Sequence, residues 1–452
     1  MKYDFLIIGA GPAGYTAAIK AAHYGRSVAL FEEKAVGGTC LNAGCIPTKA
    51  LIHASSFYAG MPAAERCGVH LEGTLDLVRM NAYKEETVIT LRSGVESLLK
   101  GNKVEVIRGH AFLPSAHHVQ CGGADYEGET ILIATGSEPV IPPIPGAQGC
   151  GLLTSSDLLD PAAHPFTHLA IIGGGVIGCE FANLALNLGR KVTIIEMKDR
   201  ILPEMDRDIS QNLSMLLKRR GAEIRTGAGV TRLEKNRVWI GEQSVDCDAV
   251  LMAVGRRSSC RDLFPEGLLE TDRGSIRVNA EFATNAEGVY ACGDCVHGIQ
   301  LAHYAAACAS SVVEKICSGA SRIHLDTVPA CVYLNQEIAC VGRSEEQLKE
   351  QGVVYRTGRY SMLGNARSVI EKADRGFIKV LSAEDGTVLG AALMCERASD
   401  LVALFADAVA NRQKVSELSS LIYPHPAFCE GIQEALEDTD KKAVHVLYGL
   451  HR

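Results

Sequence analysis

Apolar residues in the first two-thirds of the chain fall into short runs, and helical patterns follow several of them. Residues 3–8 form one such run and residues 168–172 another, and each has the length and composition of a buried strand. A second strand-like run follows each of them, at residues 27–31 and 191–195. Strands that alternate with helices in this way are typical of parallel α/β sheets.

From about residue 329 the apolar pattern changes. Residues 330–341, 376–381 and 388–394 contain alternating apolar positions, which are typical of strands with one buried face. This last part of the chain has no nucleotide-binding signature. We therefore predict that it forms an antiparallel sheet flanked by helices.

The turn after the first apolar run has the glycine spacing of a dinucleotide-binding loop. Gly9 permits a tight turn, Gly11 lets a pyrophosphate approach the backbone, and Gly14 lets helix and strand pack closely. Glu32, after the next strand, can accept hydrogen bonds from the hydroxyls of an adenosine ribose. Because strand, turn and helix occur in the required order, the motif is far more specific than its glycines alone.

The same unit recurs later in the chain. Its residues are Gly173, Gly175, Gly178 and Glu196, and the strands that return to the two glycine loops end at Gly136 and Gly255. The spacing from the last glycine to the acid is identical in the two copies. Two dinucleotide sites are therefore predicted, and the first copy carries the longer insertion.

The composition is that of a globular protein with several domains. The chain has 452 residues, a hydrophobic fraction of 47% and a formal net charge of −8. This acidic balance, without a basic cluster, argues against nucleic-acid binding, which depends on grouped lysines and arginines. The apolar stretches at residues 1–22 and 169–188 contain acids and glycines, so we expect neither a signal peptide nor a membrane segment.

The chain contains 16 cysteines. Their spacing and the length of the chain favour free thiols in a reducing cytoplasm over a disulfide framework, so we expect a cytoplasmic protein. Two of them, Cys40 and Cys45, lie within one glycine-flanked segment. One face of a slightly distorted helix would bring their sulfurs within bonding distance, and the positive end of that helix would favour thiolates.

The segment GGTCLNAGCIPTKAL at residues 37–51 resembles, almost letter for letter, the active-site segment of the flavin-dependent disulfide oxidoreductases. These are the class I members of the pyridine nucleotide-disulfide oxidoreductase family, and the resemblance extends over the whole chain. It implies an enzyme that carries FAD and in which Cys40 and Cys45 form a redox-active disulfide. The disulfide segment lies within the first copy of the repeated unit, and a disulfide exchanges electrons only with a group in contact. FAD is therefore assigned to the first glycine loop, and NAD to the second.

The resemblance also implies the residues that bind the cofactors. Those for FAD are Gly9, Gly11, Gly14, Glu32, Thr39, Lys49, Gly136, Asp294 and Ala302, and those for NAD are Gly173, Gly175, Gly178, Glu196 and Gly255. Glu180 is a further cofactor-binding residue. In the family, residues that match Lys49 and Glu180 form an ion pair near the flavin. Residues 284–294 (TNAEGVYACGD) resemble the second flavin fingerprint, in which Asp294 accepts from the ribityl hydroxyls.

Residues 423–430 (YPHPAFCE) resemble the His-Pro-x-x-x-Glu segment of the same family. The carboxylate of Glu430 can orient the imidazole of His425 and stabilise its protonated form. The resemblance implies that this pair reaches the disulfide of the other subunit. We therefore expect a homodimer whose active sites are shared between subunits, with Cys40, Cys45, Lys49, His425 and Glu430 as the catalytic residues.

The resemblance is to the branch that acts on lipoamide, which implies flavin-dependent oxidation of dihydrolipoamide, or of protein-bound dihydrolipoyl groups, with reduction of NAD. The expected partner is a lipoyl-bearing protein of a 2-oxo-acid dehydrogenase or glycine-cleavage complex. Glu196 would repel the extra phosphate of NADP. Arg200 lies close by, however, so an NADPH-dependent disulfide reductase of the glutathione-reductase type stays open as the alternative.

Two further interpretations compete with parts of this prediction. Cys292, Cys295, His297 and His303 have a spacing that can ligate zinc, but the flavin fingerprint explains this segment better, so we predict no metal site. The chain could instead be chiefly a docking subunit. The intact cysteine pair and His-Glu motif argue against a docking subunit without catalytic activity.

We predict an α/β fold with two Rossmann-like dinucleotide-binding domains and a C-terminal α+β dimerisation domain. Residues 1–145 form the first part of the FAD-binding domain, including the redox disulfide helix, and residues 146–270 form the NAD-binding domain. Residues 271–328 complete the FAD-binding domain, and residues 329–452 form the dimerisation or interface domain.

Overall fold

Three large sheets organise the chain. The computed structural model describes residues 1–373 and 375–448, so the last four residues of the predicted 329–452 segment lie outside the described residues. Two of the sheets are built around parallel strands and the third is antiparallel, which confirms the predicted fold class. Within the described residues, no helix combines the length and the apolar character that crossing a bilayer would require.

The first part of the chain forms a mixed sheet around a central strand. Its elements are β1 Lys2–Ile8, α1 Pro12–His23, β2 Val28–Glu32, α2 Gly38–Ala43, α3 Cys45–Arg66, α4 Leu77–Gly101, β3 Glu105–Arg108, β4 Ala111–Ser115, β5 His118–Cys121, β6 Ala124–Ile133 and β7 Ser137–Pro139. Strand β1 pairs in parallel with β2 and β6. The carboxyl ends of β1 and β6 therefore meet at one edge, beside the first glycine loop.

The second part forms a parallel sheet and then returns to the first. Its elements are β8 Leu152–Leu153, β9 His168–Ile172, α5 Val176–Asn187, β10 Lys191–Ile195, α6 Arg207–Arg219, β11 Glu223–Arg225, β12 Arg232–Glu234, β13 Arg237–Ile240, β14 Gln243–Asp246, β15 Ala249–Met252, β16 Arg256–Ser258, β17 Thr271–Asp272, β18 Ser275–Ile276, β19 Val289–Ala291 and α7 Ala302–Ser318. The sheet order is β11-β10-β9-β15-β8. Strand β16 pairs with β7, and β19 pairs with β6 of the first sheet.

The third part forms a five-stranded antiparallel sheet of order β20-β21-β24-β23-β22. Its elements are β20 Ala330–Val332, β21 Glu337–Gly342, α8 Glu345–Glu350, β22 Tyr355–Ser361, α9 Ala366–Ile370, β23 Phe377–Ala383, β24 Val388–Cys395, α10 Ala398–Ala410, α11 Val415–Ser419 and α12 Glu430–Asp438. The antiparallel sheet with flanking helices was predicted. The run at 330–341 is a hairpin of two strands, however, and β22 was not predicted at all.

The two glycine loops share one backbone arrangement. The first glycine has φ +98° at Gly9 and φ +107° at Gly173, a conformation that L side chains rarely adopt. A Cβ at these positions would lie 2.4 Å from the carbonyl oxygen of Ala134 and 2.3 Å from that of Ala253. In both copies, the return strand therefore leaves room only for glycine at the start of the turn.

A buried ionic cluster ties the third sheet to the second part of the chain. Lys379 of β23 is 2% exposed and donates to Asp206 at 2.7 Å, to Asp208 at 3.0 Å and to Glu345 at 3.1 Å. Burial is the largest single influence and opposes the charge on Lys379, but the hydrogen bonds and charges of Asp206 and Asp208 together outweigh it and raise the pKa of Lys379. Because a buried ammonium needs all its acceptors in place, this cluster fixes the start of α6 against the third sheet.

Candidate active site

The two cysteines of the glycine-flanked segment lie on either side of a helix break. Cys40 is within α2, and Cys45 is the first residue of α3. A Cβ at Gly44, between the two helices, would lie 2.9 Å from the carbonyl oxygen of Thr39. The prediction of one slightly distorted helix was wrong, because the chain turns sharply at Gly44 where only a residue without a side chain fits.

The structure has Cys40 and Cys45 as thiols, like the other fourteen cysteines. Their sulfurs are hydrogen-bonded to each other, and this contact is the largest cause that lowers the pKa of Cys45 to about 7. Burial opposes the shift and the charge of Lys49 adds to it. The same contact, together with burial, raises the pKa of Cys40 well above its usual range.

Above about pH 7 the pair therefore holds one proton, on Cys40, and one negative charge, on Cys45. The pKa of Cys45 is lowered by the hydrogen bond from Cys40 and by the charge of Lys49, so at that residue the expectation that a helix end favours thiolates stays a prediction. It was wrong for Cys40, because its sulfur donates the hydrogen bond that stabilises its neighbour. A thiolate beside a thiol is the reduced form of a dithiol that can cycle to a disulfide.

An ion pair between two sheets lies next to these sulfurs. Lys49, one turn into α3, places its Nζ 2.7 Å and 2.9 Å from the two carboxylate oxygens of Glu180. Glu180 belongs to α5 of the second sheet, and its side chain is 5% exposed. The positive charge of Lys49 stabilises the thiolate of Cys45, whereas Glu180 opposes it.

Tyr333 joins this ion pair and was not anticipated from the sequence. It lies in the turn between β20 and β21, and its backbone N–H donates to Glu180 at 3.0 Å. The Nζ of Lys49 lies 4.7 Å from the centre of the Tyr333 ring. All three parts of the chain therefore meet at one buried carboxylate.

Arg256 was also not anticipated. Its guanidinium donates to Ser137 Oγ at 2.8 Å and to Ser137 O at 2.6 Å, and the Ser137 hydroxyl donates to Asp294 at 2.6 Å. Burial lowers the pKa of Arg256, against the favourable charges of Asp294 and Cys45. A charged residue directly after the return glycine, Gly255, is the one signal that would have found it.

The glycine loops have room for a ligand at their second glycine. A Cβ at Gly11 would approach nothing closer than 3.9 Å, and a Cβ at Gly175 would meet nothing within 4 Å. Helices α1 and α5 begin at these residues, and neither has a side-chain cap. Open space at an uncapped helix N-terminus suits a pyrophosphate, because free N–H groups and the helix dipole favour an anion.

The acids after the second strands are held alike in the two copies. The N–H donors are Ala10 and Lys34 for Glu32, and Gly174 and Lys198 for Glu196, at distances of 2.6–2.8 Å. A carboxylate offers about four acceptor positions, so each acid retains capacity for the hydroxyls of a ribose.

Other polar groups near the first loop fit a flavin nucleotide. The hydroxyl oxygen of Thr135 is buried without a hydrogen-bond partner in the structure, which is typical of a ligand site. Asp294 lies in a short 3-10 turn, Gly293–Cys295, and Ala302 is the first residue of α7, which has no side-chain cap. Thr39 lies in the first turn of α2. Residues from three segments thus offer acceptors, donors and a helix end.

Arg200 does not face the second glycine loop as an unpaired cation. Its guanidinium lies 3.2 Å from Glu346 and donates to the carbonyl oxygen of Pro203 at 3.1 Å. An arginine that is engaged in this way is less able to receive the additional phosphate of NADP.

The four residues with zinc-like spacing have separate partners. Cys292 is buried, Cys295 donates to Ile133 O at 3.4 Å, His297 lies 3.3 Å from Asp272, and His303 contacts Pro329 O at 2.8 Å. In the part of the chain that the structure describes, no group of three or more His, Cys, Asp or Glu residues could hold a metal ion.

The His-Glu pair lies at the start of α12, on the third sheet. His425 Nδ1 is 2.8 Å from Glu430 Oε1, and the Ala427 N–H donates to Glu430 Oε2 at 2.8 Å. Burial is the largest single influence and opposes ionisation of Glu430, but these two hydrogen bonds and the charges of His425 and His445 together outweigh it and lower the pKa of Glu430. The imidazole is 71% exposed in the single chain. Among the described residues, no hydrogen bond joins it to Cys40 or Cys45.

Comparison with known families gives two matches that together cover most of the chain. Residues 3–309 match the family described as pyridine nucleotide-disulphide oxidoreductase. Residues 328–436 match the dimerisation domain of the same family. The second match supports a homodimer.

Individual proteins resemble the chain over nearly its full length. A dihydrolipoyl dehydrogenase of Thermus scotoductus is 36% identical, with 98% of this chain and 99% of that protein covered. Dihydrolipoyl dehydrogenase 3 of Pseudomonas putida is 34% identical, with 98% and 100% covered. Among solved structures, the Cu(II) complex of the HOCl-induced flavoprotein disulfide reductase RclA from Escherichia coli has a TM-score of 0.88 and 31% identity, with 97% and 99% covered.

Proposed function

We propose, on the premise that this chain belongs to the pyridine nucleotide-disulphide oxidoreductase family, that it oxidises dihydrolipoyl groups with NAD as the electron acceptor. The observation that carries this proposal is the hydrogen-bonded thiol and thiolate of Cys40 and Cys45, beside an ion pair that links the two nucleotide-type sheets. Relatives named dihydrolipoyl dehydrogenase support the choice of substrate.

In the proposed cycle, the substrate reduces a Cys40–Cys45 disulfide by thiol exchange. One dihydrolipoyl sulfur, as thiolate, attacks Cys40, which breaks the Cys40–Cys45 bond and releases Cys45 as a thiolate. The second substrate sulfur then displaces Cys40 and closes the cyclic lipoyl disulfide. The substrate loses two electrons, and the cysteine pair gains them. One proton stays on Cys40 and the other passes to His425.

The lowered pKa of Cys45 favours the first of these steps, because a sulfur that is stable as a thiolate is a better leaving group. FAD bound at the first glycine loop would supply the two-electron transfer between the dithiol and NAD. The residues that would hold this cofactor are Gly11, Glu32, Thr39, Asp294 and Ala302. Gly175, Glu196 and Gly255 would hold NAD.

His425 serves as the base in this proposal, and it acts on the partner subunit. The pair with Glu430 is exposed in the single chain and has no hydrogen bond to the cysteines among the described residues, which supports a site that is completed by the imidazole of a second subunit. A carboxylate that orients an imidazole raises its capacity to hold a proton. The homodimer is thus part of the catalytic arrangement.

NAD is the proposed acceptor because the second loop presents a carboxylate. Glu196 accepts a hydrogen bond from a backbone N–H of that loop, and Arg200 forms an ion pair with Glu346. We expect anaerobic reduction of the protein to be about 10²-fold more efficient with NADH than with NADPH, since a phosphate beside a carboxylate costs several kcal/mol. Stopped-flow measurement of flavin absorbance with each nucleotide gives the ratio.

Two variants test the cause of this selectivity. Glu196→Gln should lower the ratio of the efficiency with NADH to that with NADPH, because it raises the efficiency with NADPH. Glu204→Gln, which changes an exposed acid of the same segment, should leave it unchanged. Equal efficiency with the two nucleotides in the unaltered protein would favour the rival reductase of the glutathione-reductase type.

The division of the chain, its partner and its compartment are part of the same proposal. Residues 1–145 and 271–328 form the FAD-binding domain, residues 146–270 the NAD-binding domain, and residues 329–452 the dimerisation domain. The pairing of β19 with β6 supports the return to the first domain. The partner is a lipoyl-bearing protein of a multienzyme complex. The fourteen cysteines outside the redox pair, all free thiols, support a reducing cytoplasm.

A further inference from the structure

The ion pair beside the cysteines is contacted by Tyr333, which comes from the part of the chain that forms the third sheet. It comes from the short turn between β20 and β21, far in sequence from both charged partners. Its N–H donates to Glu180, and its ring faces the ammonium of Lys49 at 4.7 Å. One residue therefore contacts both members of the pair, through backbone and side chain separately.

The side chain of Tyr333 also contacts Cys331, two residues earlier in the chain. The Tyr333 phenol is hydrogen-bonded to Cys331, and burial raises the pKa of Tyr333 to about 12 and that of Cys331 to about 11. Both groups are therefore neutral near pH 7. The neutral phenol therefore places no competing charge next to Lys49.

Lysine needs such support, because its ammonium is carried by a flexible four-carbon stem. The Lys49 side chain is 31% exposed, so water competes with Glu180 for it. An aromatic face attracts an ammonium through its quadrupole and covers one side of it from solvent. Glu180 and the Tyr333 ring together hold the charge in one place.

We propose that Tyr333 is a positioning residue for the dithiol, which keeps the ammonium of Lys49 beside the sulfur of Cys45 by holding it against Glu180. This inference rests on the proposed function, because it assigns Tyr333 to the redox pair of that reaction. Tyr333 itself exchanges neither protons nor electrons in this role.

The titratable and charged groups around the Cys45 sulfur come from several elements. They are Cys40 of α2, Lys49 of α3, Glu180 of α5, Arg256 of β16 and Tyr333 of the β20–β21 turn. Lys49 lowers the pKa of Cys45 and Glu180 raises it. If Lys49 moves away while Glu180 remains, the pKa of Cys45 must rise. The thiolate is then lost at a higher pH than in the unaltered protein.

Acid titration of the two-electron-reduced holoenzyme tests this inference. Its long-wavelength charge-transfer absorbance reports the fraction of Cys45 that is a thiolate. Tyr333→Leu should lower that fraction about threefold at pH 6, as expected for the loss of a partly desolvated cation–π contact. Tyr333→Phe keeps the ring and the backbone N–H, and should behave as the unaltered protein. Tyr333→Met, without a ring but of similar length, should behave as Tyr333→Leu if that variant does not fold.

Tyr355→Leu is the matched control, since it removes a tyrosine of the same sheet whose hydroxyl contacts Glu345. The inference is overturned if Tyr333→Leu leaves the titration unchanged, if Tyr355→Leu shifts it equally, or if Tyr333→Phe shifts it as far as Tyr333→Leu. Absence of the band in the unaltered protein would instead contradict the proposed function.

Discussion

Replacement of Cys45 by serine should lower the oxidation of dihydrolipoamide by NAD about 10⁴-fold or more. Serine cannot form the bond to Cys40, so the electron pair has no path from substrate to cofactor. The backbone at the start of α3 should be unaffected, because serine is close in volume to cysteine. Steady-state formation of NADH from dihydrolipoamide measures the loss.

The same variant should keep a different activity. Reduction of ferricyanide by NADH needs only the two nucleotide sites, so we expect it to remain within about threefold of the unaltered protein. Cys67→Ser, which changes an exposed thiol after the end of α3, is the matched control and should preserve both activities. Turnover of dihydrolipoamide within tenfold of normal in Cys45→Ser would exclude the proposed thiol exchange.

Replacement of His425 by glutamine should slow dihydrolipoamide oxidation by about 10²- to 10⁴-fold, the usual contribution of a general base. Glutamine retains a hydrogen-bonding group near Glu430 but cannot accept the substrate proton. His445→Gln is a matched control, because His445 pairs with Glu434 at 2.7 Å, one turn along α12 from Glu430. The control should retain most of the turnover.

Hybrid dimers show whether the sites are shared between subunits. A dimer of one Cys45→Ser subunit and one His425→Gln subunit contains one intact site only if cysteine and histidine come from different chains. We expect such hybrids, isolated by two affinity tags, to recover about half of the normal turnover per dimer. Hybrids that are as inactive as either parent would show that each chain supplies its own base.

The glycine loops could be predicted because their geometry depends on residue type at fixed spacing. Gly9 and Gly173 have positive φ angles and lie against a return strand, so no other residue fits. Glu32 and Glu196 could be predicted for a similar reason, since each lies at the end of the second strand and at the same spacing from the last glycine of its loop. Short-range patterns of this kind are visible in a single sequence.

Contacts between distant parts of the chain could not be derived in this way. The ion pair of Lys49 and Glu180 joins positions 131 residues apart, and only the family resemblance pointed to it. Tyr333 carried no local motif and Arg256 only its place directly after Gly255, because their partners belong to other parts of the chain. Their roles depend on how the three parts of the chain pack together.

Local patterns also failed where packing overrides them. The break at Gly44 follows from the approach of Thr39 O, which the helical pattern of residues 38–51 conceals. Strand β22 contains Arg356 and Arg359 and few apolar residues, yet it pairs with β23 along its whole length. Strand preference depends strongly on neighbours, so such an edge strand is easily missed.

The central claim is that Cys40 and Cys45 are a redox pair in contact with the flavin, with the charge on Cys45. Anaerobic titration of the holoenzyme with NADH tests it most directly. After two electrons per subunit we expect a long-wavelength charge-transfer band from a thiolate to the oxidised flavin. Because the pKa of Cys45 is lowered to about 7, the band should persist above that pH and fade below it. Bleaching of the flavin without this band, or an equal band in Cys45→Ser, would contradict the claim.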